Sequence, residues 1–169
     1  MEIHQFHPIG ALSEPITDQM LAIRRLLRED DHHSEIYVLE ADAGLRGKVK
    51  PLTTYTGGAD HVLLIHHSFG FDSLEAVLAK PSRKVLVYHN VRPERFFSDP
   101  CMQRKLRLGR SQLSAYRPHV AYALATSNSN RRELLGRSRR HRLRSAAEAA
   151  DRGLLGSHWW SAAEVLSNA

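Results

Sequence analysis

Two short stretches of this chain are apolar without alternation, His61-Val62-Leu63-Leu64-Ile65-His66 and Lys84-Val85-Leu86-Val87-Tyr88-His89-Asn90. Unbroken runs of that length suit strands buried on both faces, as in the middle of a parallel sheet, and are too short for typical helices. Each stops abruptly on polar groups. The first meets His66-His67-Ser68 before Gly70. The second meets His89-Asn90 before Val91-Arg92-Pro93, where Pro93 lacks an N–H and pushes its predecessor away from helical geometry. Glu2 to His7, Ser34 to Leu39 and Val120 to Thr126 complete the predicted strands.

The segments between them carry helical spacing. Thr17 is placed to cap a helix with Met20, Leu21, Ile23, Leu26 and Leu27 on one face and Arg24, Arg25 and Arg28 opposite. Asp72 or Ser73 opens a short helix through Leu78. Met102 to Tyr116 is amphipathic, with Leu106, Leu108, Leu113 and Tyr116 spaced for partial burial. Asn130 and Glu133 have the spacing of a capping box. Pro8 to Pro15, Ala41 to Lys50 and Tyr55 to Ala59 read as loops and turns. Strands alternating with helices predict βαβ units with right-handed crossovers, hence an α/β class and a Rossmann-like parallel sheet with helices on both faces.

Past Leu135 the pattern disappears. Gly136 to Ser145 has almost no apolar periodicity, so residues 1–135 are expected to form the domain and 136–169 a basic tail. That tail is either disordered or holds short helices over Ser145 to Arg152 and Ser161 to Leu166. Between Arg131 and Arg152 eight arginines face three acids, a local charge of +5 that leaves only +1 of the overall +6 for everything else. The basic balance therefore belongs to one segment, and without an aromatic reading platform nucleic-acid binding is disfavoured. At 169 residues, 42% hydrophobic, the chain suffices for one domain with a real core. Its single cysteine, Cys101, allows no internal disulfide and fits a reducing compartment. With neither a signal-peptide pattern at the amino terminus nor a run long enough to span a bilayer, the expected location is cytoplasmic, with peripheral contact to a membrane surface left open.

His66, His67 and His89 end neighbouring strands, which raises a metal site. Adjacent strand residues point to opposite faces, however, and the carboxylates considered, Asp72 and Glu75, do not complete a fixed ligand set, so no metal is expected there. A polar rim receiving a hydroxylated ligand is the preferred reading of His66, His67, Ser68, Gly70, His89 and Asn90, because these side chains and open backbone N–H groups can bond sugar hydroxyls or phosphate. The plainer alternative is that His89 is a strand-end residue bonded to a loop. Ser127 to Asn130 could present N–H groups to an anion, although ordinary helix capping accounts for them as well. No G-x-G-x-x-G, P-loop, G-x-S-x-G or C-x-x-C occurs, so dinucleotide, NTPase, hydrolase and redox chemistry lack support.

Taken together, Gln19 to Glu29, His66-His67-Ser68-Phe69-Gly70, Lys84 to Pro93, Gly109-Arg110-Ser111-Gln112-Leu113 and Ala123 to Leu135 resemble the amino-terminal half of retaining GT-B glycosyltransferases, the large family labelled family 4 or group 1. The resemblance implies an acceptor-side Rossmann-like domain. His89 would lie near the reaction centre as the catalytic candidate, and His66 to Gly70 would line the acceptor side of the cleft, with Asn90, Ser127 and Asn130 as further substrate contacts. It also implies a sugar or glycolipid acceptor, a nucleotide-sugar donor as co-substrate, and neither metal nor other cofactor. The family's donor-binding second domain would have to come from a partner chain or a missing carboxyl-terminal domain, and a truncated or frame-shifted product inactive alone is one expectation. The chain has Ser13-Glu14-Pro15-Ile16 where the family usually has Gly-Asp-Ala-Ile, which forbids as close a backbone approach to phosphate. A non-catalytic module binding sugars or lipid head groups is the alternative.

Overall fold

The computed structural model describes residues 1–137. Eight strands and four helices follow one another: β1 (Ile3–Phe6), β2 (Ile9–Gly10), α1 (Pro15–Glu29), β3 (Ile36–Val38), β4 (Glu40–Ala41), β5 (Lys50–Pro51), β6 (Val62–His67), α2 (Leu74–Leu78), β7 (Arg83–Tyr88), α3 (Pro100–Gln112), β8 (Val120–Ala125) and α4 (Asn128–Arg137). Six strands form one all-parallel sheet in the order β5-β3-β1-β6-β7-β8, and β2 pairs with β4 in a separate parallel ribbon. Counting only its own six strands, the sheet runs 3-2-1-4-5-6, the doubly wound Rossmann order, with its reversal between β1 and β6. The expected α/β class is therefore observed. None of these helices is long and apolar enough to cross a membrane.

The chain divides into two compact units, residues 1–66 with 80–84, and residues 67–79 with those from 85 onward. In the first, β1 is buried at all four positions and pairs Ile3 with Val62 and Phe6 with Ile65 on β6. The buried amide of Gln5 makes this strand pair specific. Its Nε2 donates to the Met20 carbonyl at 2.9 Å, so its Oε1 must accept, and His66 Nε2 lies on it at 3.1 Å. Helix α1 buries Ile16, Thr17, Met20, Ile23 and Leu27 along one stripe, while Arg28 reaches from the solvent side to the Ser34 carbonyl and the Glu35 carboxylate. Near the end of this unit the amine of Lys84 is buried on the carbonyls of Lys80 and Ser82.

Several local expectations are corrected. Thr17 does not cap α1: Glu14 does, its carboxylate accepting from Thr17 N at 3.0 Å. Pro15 opens the helix, and the Thr17 hydroxyl accepts from Ala11 N. The stretch 41–50 is not wholly loop, because Ala41 and Lys50 each belong to a two-residue strand. Asn130 is not the cap of α4, which starts at Asn128: the Ser127 hydroxyl accepts from Asn130 N at 3.1 Å. Gly136 and Arg137 continue that helix rather than opening a loop. The rest of the expected tail, residues 138–169, lies outside the described residues.

Candidate functional site

In the second unit the carboxyl ends of β6, β7 and β8 carry most of the residues singled out above. His67 is not a rim residue. It is the last residue of β6, fully buried, with Nε2 3.0 Å from the Gly109 carbonyl and Nδ1 3.0 Å from the Tyr116 hydroxyl. A carbonyl only accepts, so Nε2 carries the proton and Nδ1 takes the tyrosine's. Burial pushes the Tyr116 phenol well above its ordinary range, which keeps that donor protonated. The His67 ring also stacks on Tyr88 and meets Tyr116 edge-on.

Gly70 sits in a close backbone contact. A Cβ there would stand 2.4 Å from the Gly109 nitrogen, and one on Gly109 would stand 2.6 Å from the Gly70 nitrogen, so α3 and the loop after β6 touch backbone to backbone. Gly70 N bonds the Lys105 carbonyl at 2.8 Å. Gln112 then braces Phe71, its amide accepting from Phe71 N at 3.2 Å and donating to Phe71 O at 2.7 Å. The close approach at this glycine is to a helix.

Beyond Tyr88 the ladder continues by one bond, His89 N to His67 O at 3.0 Å, leaving His89 partly exposed. Asn90 follows, exposed and at φ +75°, a left-handed conformation that asparagine tolerates better than most side chains. Val91 is held on both sides, its N–H on the Tyr88 hydroxyl at 3.1 Å and its carbonyl by Arg110 at 2.7 Å. Sequence reasoning gave Arg110 no role of its own. Its buried Nε makes no hydrogen bond and lies 3.8 Å from the Glu94 carboxylate. At the β8 end Thr126 N bonds Tyr88 O at 3.2 Å, and the buried Asn130 amide donates to the Thr126 hydroxyl at 2.9 Å, so Asn130 fastens the strand end. Of the expected contacts, Ser68, His89, Asn90 and Ser127 thus lie at exposed or partly exposed strand ends. His67, Gly70 and Asn130 are built into the frame. His66, in the first unit, is buried against Gln5.

A second polar cluster, missed in the sequence, occupies the amino-terminal ends of β1 and β6 in the first unit. One oxygen of Glu2 and one ring nitrogen each of His4 and His61 lie within 4.8 Å of one another, the one such group among the described residues. Glu2 Oε2 is 3.0 Å from His4 Nε2 and 2.6 Å from His33 Nδ1. Burial holds the His4 imidazole below its ordinary pKa. Burial pushes the Glu2 carboxyl up, but the bond from His33 and the nearby imidazoles outweigh this and hold it low. The available signal was the Glu2-x-His4 spacing, which puts both side chains on one face of a strand.

Compared with protein-family models, curated proteins and solved structures, the chain finds no match in any of the three.

Proposed function

We propose that this chain is the acceptor-side half of a retaining, nucleotide-sugar-dependent glycosyltransferase of the GT-B kind, with His89 the residue that meets the acceptor. The observation that supports this reading best is His89-Asn90 at the carboxyl end of β7 in a six-stranded, doubly wound parallel sheet, since open sheets of this order take their ligands beyond the carboxyl ends of the strands. An imidazole there can hydrogen-bond an acceptor hydroxyl and exchange a proton with it near neutral pH. Ser68 and Ser127, at the ends of β6 and β8, offer hydroxyls to the same class of ligand. Stabilisation of the leaving diphosphate would come from a donor-binding domain supplied elsewhere.

Calorimetry with UDP- and GDP-sugars, paired with saturation-transfer NMR on the sugar head groups of glycolipids, tests this. The expected result is acceptor-sugar binding that His89→Ala abolishes, with no donor bound by the chain alone. Tight donor binding by the isolated chain, or sugar binding indifferent to His89→Ala, overturns it. Sugar binding that depends on His89 but never leads to transfer, whichever donor domain is added, assigns the chain instead to non-catalytic recognition of sugars or lipid head groups.

A further inference from the structure

Histidine and glutamate are brought together at the start of β1 and β6 by topology alone. Glu2 bridges to His33 in the turn before β3, and His61 directly precedes β6, whose Val62 is the partner of Ile3. Three neighbouring strands of the first unit therefore each bring an imidazole to one spot, and β1 brings a carboxylate as well. The rings of His33 and His61 each sit 5.5 Å from that of His4, which is itself almost completely buried.

The orientation of His61 distinguishes this group from a chance cluster. Its Cδ2–Nε2 edge faces Gly58 and Asp60, with Nε2 3.8 Å from the Asp60 carboxylate. In the neutral ring protonated on Nε2, the lone pair is on Nδ1. That atom is buried and has no hydrogen-bond partner. A buried imidazole nitrogen without a partner is a lone pair still open to a metal ion, while the Asp60 carboxylate at 3.8 Å is too far to hydrogen-bond the other ring nitrogen.

We propose that Glu2, His4 and His61, with His33 beside them, bind a divalent transition metal of the zinc or nickel type. Imidazole donors favour such ions over magnesium or calcium, which prefer all-oxygen shells. Metal–ligand bonds of about 2.0–2.2 Å in a tetrahedral site place ligand atoms roughly 3.4 Å apart. Glu2 Oε2 and His4 Nε2 already stand 3.0 Å apart, and the widest pair needs to close from no more than 4.8 Å. One rearrangement is required. His4 Nδ1 accepts from Glu35 N at 3.2 Å, so the metal-free ring carries its proton on Nε2. Binding at Nε2 moves that proton to Nδ1 and gives up the Glu35 bond. The ion would tie the start of β1 to the start of β6 and to the turn before β3, as a structural site rather than part of the sugar chemistry.

Titration of the full chain with zinc chloride at pH 7.5 by calorimetry, with imidazole resonances followed by NMR, tests the proposal. The expected result is one site whose loading shifts His4 and His61, moves His4 to the Nδ1–H tautomer and speeds amide exchange at Glu35. Glu2→Gln and His61→Ala should each weaken binding at least tenfold, while His32→Ala, outside the cluster, leaves it unchanged. Because the chain has 11 histidines, adventitious binding has its own signature: affinity equal in the parent and the Glu2→Gln variant, with His4 unmoved, refutes the site. Glu2→Gln keeps the residue's shape at a partly exposed position, so the result stands even where His61→Ala folds poorly.

Discussion

Gly109→Ala is the sharpest probe of how the second unit is assembled. In an ordinary helix interior, alanine is about 1 kcal/mol better than glycine. Here the new methyl would meet Gly70 N at 2.6 Å, Phe69 C at 2.8 Å and Phe69 Cα at 2.9 Å, all backbone atoms, against the 3.4 Å at which ordinary contact begins. No rotamer change relieves this, so α3 must lift off the loop by a good part of an ångström. Overpacking of this kind costs roughly 1–3 kcal/mol, and the upper end applies because the obstruction is main chain. Lifting also stretches the Gly70–Lys105 bond of 2.8 Å and the His67–Gly109 bond of 3.0 Å, each worth about 1 kcal/mol net. Set against the helix gain, the expected loss is roughly 3–4 kcal/mol, since the stretched bonds are weakened rather than lost, and at a slope of about 2 kcal/mol/M the urea midpoint falls by roughly 1.5–2 M. Ser111→Ala, exposed on the same helix, is the control and should stay within about 0.5 kcal/mol. If Gly109→Ala were as stable as the parent, or more so, the backbone contact would be wrong and helix propensity would be the governing term.

Two further outcomes are expected. The folded-state pKa of His4 lies below its ordinary 6.5, so the unfolded chain takes up that proton first. The His4 contribution to stability is complete above pH 6.5 and is lost as pH falls from there, with His7, lowered by its own burial, acting in the same direction. Urea midpoints between pH 7.5 and 5.5 should show it, and His4→Gln should flatten the slope; an unchanged slope refutes the assignment. Gln112→Ala leaves the Phe71 N–H and carbonyl without their side-chain partners, costing roughly 1–3 kcal/mol by urea titration and raising amide exchange at Phe71, and a loss confined to a few tenths would show that water replaces the brace readily.

The elements themselves were largely legible, because β6 and β7 are buried on both faces and their apolar runs carry no competing period. Helix ends were less so. Thr17 was the expected cap, yet the helix starts at Pro15 and Glu14 caps it. The strand was expected to stop on the polar cluster His66-His67-Ser68, yet His67 finds its partners on Gly109 and Tyr116, 42 and 49 residues away. Periodicity has no access to such pairings. Gly70 was read only as part of a ligand rim, and its backbone contact with α3 was not legible. Glu2, His4, His33 and His61 became a group only through the parallel register of β1 with β3 and β6.

The division of the chain into units bears on how it can be dissected. The first unit needs residues 80–84 as well as 1–66, because Lys80 bonds the Tyr55 carbonyl at 2.8 Å, the Tyr55 hydroxyl bonds Ser82, and Arg83 N bonds the His61 carbonyl at 2.9 Å. The polypeptide thus passes from one unit to the other, back, and over again, with both changes of side around 80–84 falling inside or next to β7. No single scission releases an intact piece. A fragment ending at residue 66 would strip Tyr55 of its phenolic partner and leave the His61 carbonyl bare, so swaps with other proteins have to exchange both segments or neither.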